Sequence, residues 1–271
     1  MGSDSSSGGD PARTVALLWG RRELPRHGRR HALTITQIVE TAIAIADADR
    51  DLALLSMRRV AEALGAGTMS LYTYIASRAE LVEAMLDAAY AEVVPQLADA
   101  GASGWQAGLA QVGTVNWRMY LRHPWMLQVF TGRPPLGPNA ITKYELELRV
   151  VNGIGLTDLE MDAVVTMVHT HLQGVARLKV EAENTQRRTG LTDAQWWEAT
   201  APVLAEVFDP AQFPVAARVG QAAGQEHQSA YDPEHAYQFG LDRLIAGIDA
   251  LIQNRTGQTA GSWSPELSGY E

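Results

Sequence analysis

Ser56-Met57-Arg58-Arg59-Val60-Ala61-Glu62-Ala63-Leu64-Gly65-Ala66-Gly67-Thr68-Met69-Ser70-Leu71-Tyr72-Thr73-Tyr74-Ile75 is the stretch on which the fold turns. Ser56 is placed to cap a short helix, Met57 to Leu64, with Val60, Ala61 and Leu64 facing inward. Gly65-Ala66-Gly67 stops it, because glycine enters the left-handed region without a Cβ clash. Thr68 is placed to cap a second short helix, Met69 to Ile75. In that helix Leu71 and Ile75, at i and i+4, are the only core anchors. Its outward face is hydroxyl- and tyrosine-rich and free of acids, a surface suited to base edges and phosphates. Arg58, Arg59 and Arg78 flank it, and Glu62 is the only acid from Met57 to Arg78. Helices this short need neighbours to stand on.

Both neighbours are legible. Thr34-Ile35-Thr36-Gln37 is a capping box opening a helix with Ile35, Ile38, Val39, Ala42, Ile45 and Ala46 on one stripe. Ser77-Arg78-Ala79-Glu80 is a second box, starting a helix that ends before Pro95. Beyond it the pattern stays helical: Trp105 to Arg122, a short piece near Trp125 to Thr131, Asn139 to Asn152, a long helix from Thr157-Asp158-Leu159-Glu160 to about Arg188, Thr192-Asp193-Ala194-Gln195 to about Phe208, and a last helix after Asp232-Pro233. No strand-like alternation bounded by turns occurs. The expectation is an all-α chain: a three-helix helix-turn-helix DNA-binding domain, then a larger helical ligand-binding and dimerisation domain. The expected divisions are 1–33 (disordered start and basic arm), 34–94 (including the linking helix 77–94), 95–255, and a flexible tail 256–271.

Charge sorts the ends. The 271-residue chain carries −9 overall, which excludes a basic nucleic-acid coat. Residues 13–31 nevertheless hold six Arg and one acid, so an anionic partner is expected at one end only. Cysteine is absent, which excludes disulfides, cysteine zinc sites, thiol catalysis and thiol redox sensing. No apolar run approaches a membrane span or a signal-peptide core, so the reading is a cytoplasmic protein without a membrane partner. G-x-S-x-G, phosphate-loop and H-E-x-x-H motifs are missing, so neither an enzyme nor a cofactor or metal is expected.

The stretches Leu55 to Gly65, Thr68 to Ile75 and Ser77 to Leu81 resemble the DNA-binding domain of the tetracycline-repressor (TetR) family, the Leu71-Tyr72 pair being a hallmark. Downstream, Trp117, Leu121, His123-Pro124-Trp125, Arg133-Pro134 and Leu136-Gly137-Pro138-Asn139 resemble the ligand domain of the tetracycline-repressor branch. The resemblance implies a homodimer whose two heads read a near-palindromic operator about one DNA turn apart. By position it assigns DNA contacts to Ser56 and Arg58, to Thr68, Met69 and Ser70 facing bases, to Tyr72 and Tyr74 on phosphates, to Thr73 in the groove, and to Arg78 on phosphate. Thr73 departs from the bulky residue the family often carries there. Arg29 and Arg30 of the arm are expected in a minor groove.

The effector is expected to be a small apolar or aromatic molecule. Trp105, Trp117, Trp125, Met126, Phe130 and Trp196 (with Trp197) are candidates to line its pocket, and His123, His169, His171 and Gln173 to orient it. Ordinary core packing is the competing reading for those aromatics. His169 and His171, two apart, fall on different helix faces, which argues against a shared metal. The long and last helices are expected to build a four-helix dimer interface, with Gly240 and Gly247 permitting close approach. The function implied is a ligand-responsive transcriptional regulator, by family default a repressor. An activator, or a helical small-molecule-binding dimer without a DNA role, is the alternative.

Overall fold

The computed structural model describes residues 10–21, 33–129, 133–227, 229 and 231–257. Among these every regular element is helical. The order is α1 (Pro11–Leu18), α2 (Ile35–Asp49), a 3-10 turn (Leu52–Leu54), α3 (Met57–Ala63), α4 (Thr68–Tyr74), α5 (Arg78–Leu97), α6 (Trp105–Arg122), a second 3-10 turn (Pro124–Gln128), α7 (Pro138–Val151), α8 (Asp158–Thr189), α9 (Asp193–Val207), α10 (Pro214–His227) and α11 (Pro233–Gly257). No described helix is long and apolar enough to cross a membrane.

The reading head is α2, α3 and α4 on the first half of α5. The box at α2 closes as expected: Gln37 N–H donates to Thr34 Oγ1 (3.1 Å) and Thr34 N–H to Gln37 Oε1 (3.0 Å). Gly65 stops α3 at φ +62°. Leu71 and Ile75 are fully buried, so α4 is anchored by the two residues its pattern singles out.

Three elements differ from the sequence expectation. A helix, α1, precedes the first expected one. Asp10 accepts from Ala12 N–H (3.1 Å), Pro11 opens the first turn, and Thr14 and Leu17 bury against α5. Helix α5 runs through Pro95 to Leu97. So near a helix end proline removes a single intrahelical bond, and Leu97 is buried. Helix α10, which buries no residue, also lies outside the expectation.

The sensor half packs α5, α6, α7, α8 and α11. Asp87 on α5 caps α7, accepting from Asn139 N–H (3.0 Å), Ala140 N–H (2.9 Å) and Asn139 Nδ2 (2.9 Å). A Cβ at Gly137 would fall 2.1 Å from the Asp87 carboxylate, so only glycine lets α7 start this close to α5. Gly240 plays the same part inside the chain: it seats the His171 ring of α8 on α11, where His171 Nε2 lies 3.0 Å from Tyr237 O. Gly247 faces open space.

Candidate functional site

The surface expected to read DNA is the outer side of α4 and the start of α3. Met69 is 80% exposed, and Ser70, Tyr72 and Thr73 are exposed with it. Thr68 and Tyr74 are half-buried, and Gly67, not Thr68, holds the cap position. The Thr73 hydroxyl donates to Ser70 O (2.5 Å) within the helix. Arg58 is exposed and pairs with Glu62 at 2.7 Å, a surface contact worth little. Ser56 Oγ accepts from Arg59 N–H (3.3 Å), a capping role. Arg78 faces inward in part: its Nε donates to Leu55 O (2.9 Å) and a terminal nitrogen to Leu52 O. It therefore ties α5 to the turn before α3. Arg29 and Arg30 lie outside the described residues.

A cavity of about 670 Å³ lies between α5, α6, α7 and α8, rimmed by Arg133, Pro134, Pro135 and Leu136. Of the expected pocket residues, His169 and Gln173 line it. The tryptophans do not. Trp117 stacks on Tyr237 (4.6 Å between centroids). Trp125 is wholly buried and donates from Nε1 to Asp47 Oδ1 (2.8 Å). Met126 is buried and Trp105 packs partly against the core. Trp196 and Trp197 are both exposed, on a helix with no buried residue. Phe130 lies outside the described residues. An aromatic ring signals a need for burial, not which wall will bury it.

The cavity's walls are tyrosines instead, and its polar end is one that the sequence reading missed. Glu147 on α7 is almost wholly buried. It accepts from Lys143 Nζ (2.7 Å) and Asn116 Nδ2 (2.9 Å), and its Oε2 lies 2.9 Å from His169 Nε2. Lys143 Nζ is also 3.1 Å from His169 Nε2 and 5.4 Å from the Tyr90 ring centroid. Burial alone would raise the Glu147 carboxyl, but His169, Lys143 and their hydrogen bonds override it and hold it well below the usual carboxylate range. Burial, with the Glu147 and Asp87 charges, pushes the Tyr90 phenol up to about 12, so it stays protonated. Tyr120 is pushed up as well, chiefly by burial, and its hydroxyl accepts from Gln173 Nε2 (3.0 Å). The available signal was positional: Lys143 and Glu147 occupy the same helical stripe as Val150 and Val151, where an amphipathic helix should be apolar.

Head and sensor share a second joint. Asp47, near the end of α2, receives Trp125 Nε1 and lies 2.8 Å from His123 Nδ1, while His123 Nε2 faces Glu92 Oε2 at 3.3 Å. Burial works against charge on this ring, but hydrogen bonds to Asp47 and then Glu92 raise its pKa. A raised folded-state pKa contributes stability that is complete below the free imidazole value of about 6.5 and lost as pH rises through the raised one. Wild-type melting temperature is therefore expected to fall on moderate alkalinisation, and a His123→Gln protein to lose that slope. Parallel thermal melts across neutral to alkaline pH measure it.

A helix-turn-helix head with an exposed α4, joined through α5 to a cavity-bearing helical domain, defines a transcriptional regulator of the one-chain sensor type. Residues 97–252 match the family described as tetracyclin repressor-like, C-terminal domain. The chain belongs to this family. The HTH-type transcriptional repressor DrrR1 of Streptomyces coeruleorubidus is 40% identical over 258 residues, 95% of this chain and 93% of that one. An HTH-type transcriptional regulator of Saccharopolyspora erythraea is 27% identical, covering 91% of this chain and 95% of the other. Among solved structures, the Streptomyces coelicolor TetR family protein ActR in complex with actinorhodin superposes with a TM-score of 0.64 at 27% identity, covering 82% of this chain and 99% of that one.

Proposed function

We propose that this chain is a cytoplasmic homodimeric repressor, not an enzyme, which binds a near-palindromic operator through α4 and leaves it when a small organic molecule enters the α5–α8 cavity. The observation that carries this reading is helix α5. Its first residue, Arg78, holds the Leu52 and Leu55 carbonyls of the head, and Tyr90, about three turns on, lines the cavity. A ligand that shifts the cavity wall shifts the head's anchor with it. Tyrosines and Val165 on the walls, with Lys143 and His169 at one end, suit a flat apolar body carrying an acceptor or anionic oxygen. ActR's complex with actinorhodin supports a small-molecule effector. Dimerisation through α8 and α11 is supported by Met167, Leu178, Phe239 and Leu251, which stay exposed on helices otherwise packed into the core.

The test is a mobility shift with the DNA upstream of this protein's own gene, followed by titration with actinorhodin as a probe. Retardation of that DNA over unrelated DNA, reversed by the probe, is expected. Equal retardation of both DNAs would overturn the reading as an operator-binding repressor. Truncating the N-terminus to test the basic arm would also remove α1, so substitution is cleaner. An Arg29→Ala/Arg30→Ala protein is expected to bind its operator more weakly and to lower the log–log salt slope by about two.

A further inference from the structure

A second cavity, of about 680 Å³, lies in the cleft where head meets sensor. The end of α2 and the residues after it (Asp49, Arg50, Asp51) form one wall. The 3-10 turn from Pro124 and the C-terminal part of α8 form the others. Neither domain makes this cleft alone. Buried Leu127 and Val180 give it an apolar base. Gln128 clamps the head's backbone at its edge, donating to Arg50 O (2.9 Å) and accepting from Leu52 N–H (2.8 Å).

The charges lining the cleft are unequally occupied. Asp49 is paired with Arg59, and Asp51 accepts from Ala53 N–H (2.9 Å) to cap the turn. Glu181 adds a third carboxylate to the lining, and Arg177 donates to Leu127 O (2.9 Å); the other arginines are less committed. Arg50 gives one terminal nitrogen to Glu183 Oε2 (2.7 Å), while its buried Nε has no acceptor. Arg187 reaches the neutral Asn184 Oδ1 (2.6 Å) and Glu183 O (3.3 Å), and Arg188 reaches the Thr185 hydroxyl (3.3 Å). Among the described residues neither has a carboxylate partner. The dipole at the end of α8 explains why cations are tolerated there. It leaves most of their hydrogen-bonding capacity, five N–H donors per guanidinium, unspent.

We propose that this cleft is a second ligand site, separate from the effector cavity, for a small molecule bearing two or more anionic oxygens. Arg50 of the head and Arg187 and Arg188 of α8 hold it. Guanidinium forks match phosphate and carboxylate oxygens in pairs, and an anion spanning these three residues ties the head to α8. It favours one head orientation, so its binding and operator binding are linked in both directions.

The full-length protein is titrated by calorimetry with inorganic pyrophosphate and, separately, with citrate, at constant ionic strength. Saturable binding of at least one is expected, the stronger of the two identifying phosphate or carboxylate chemistry. Arg187→Ala/Arg188→Ala should weaken it by about tenfold or more, the scale of a lost charge-assisted contact. Asn184→Asp keeps the shape and supplies Arg187 with an internal carboxylate. It should weaken the anion comparably without lowering the melting temperature, which keeps the test valid if the double variant does not fold. No saturable binding of either anion, or unchanged binding in Asn184→Asp, overturns the proposal. So does anion binding that is lost only through direct competition with DNA at Arg187 and Arg188, which would make these residues part of the operator surface.

Discussion

A Glu147→Ala protein is expected to be less stable than the wild type by roughly 3–5 kcal/mol, the cost of stranding a buried charge. Glu147 is the hub of the buried cluster: Lys143, Asn116 and His169 all converge on it. Removing the carboxylate leaves the Lys143 ammonium in an apolar wall with only a histidine nitrogen and the Tyr90 ring nearby. The paired replacement Lys143→Met/Glu147→Leu should recover most of the loss, since it removes both charges and keeps the volume. Denaturant melts of the three proteins measure this, and a double variant as unstable as the single would show that packing, not charge, is at stake. The same cluster sets the acid limit. A carboxyl whose folded-state pKa is depressed contributes stability that is present above its unfolded value, about 4.3, and is lost as pH falls towards the depressed one. Acid unfolding should therefore begin below that value in the wild type and be shallower in the double variant.

Ser70→Glu is expected to weaken operator binding by at least about 100-fold, several kcal/mol being the usual cost of facing like charges, with no loss of stability. Ser70 is exposed at the third position of α4. An acid in the first turn of a helix is favourable to the helix itself, but on the proposed reading it would face phosphates. Unchanged melting temperature with lost operator retardation is the expected pair of results. Retained operator binding would move the reading surface away from the start of α4.

Much of the head was legible because its determinants are local. Thr34 and Gln37, Ser56 before Met57, Gly65 after α3, and Leu71 with Ile75 act over one to four residues, and their geometry follows from backbone periodicity alone. Two elements were missed for other reasons: α1 opens on an Asp10-Pro11 mark like that of the last helix, but falls in the stretch expected to be disordered. Helix α1 stands on two buried residues and a Trp19 Nε1 bond to Leu136 O at 2.9 Å, and α10 buries nothing. Pro95 looked like a stop, but its neighbours keep the helix going.

The sequence by itself determined that this chain is helical, that it carries a capped helix-turn-helix whose second helix has an acid-free outer face, and which two side chains anchor that second helix. Tertiary structure alone decided what the sensor half presents to a ligand. Lys143 and His169 meet across 26 residues, Asp47 and His123 across 76, and Trp19 and Leu136 across 117. Those pairings depend on how α5 to α8 stack and how α1 and α2 pack against them. A helical stripe states that a side chain faces a neighbour, but only the packed neighbour decides whether it meets a core, a cavity or a charge.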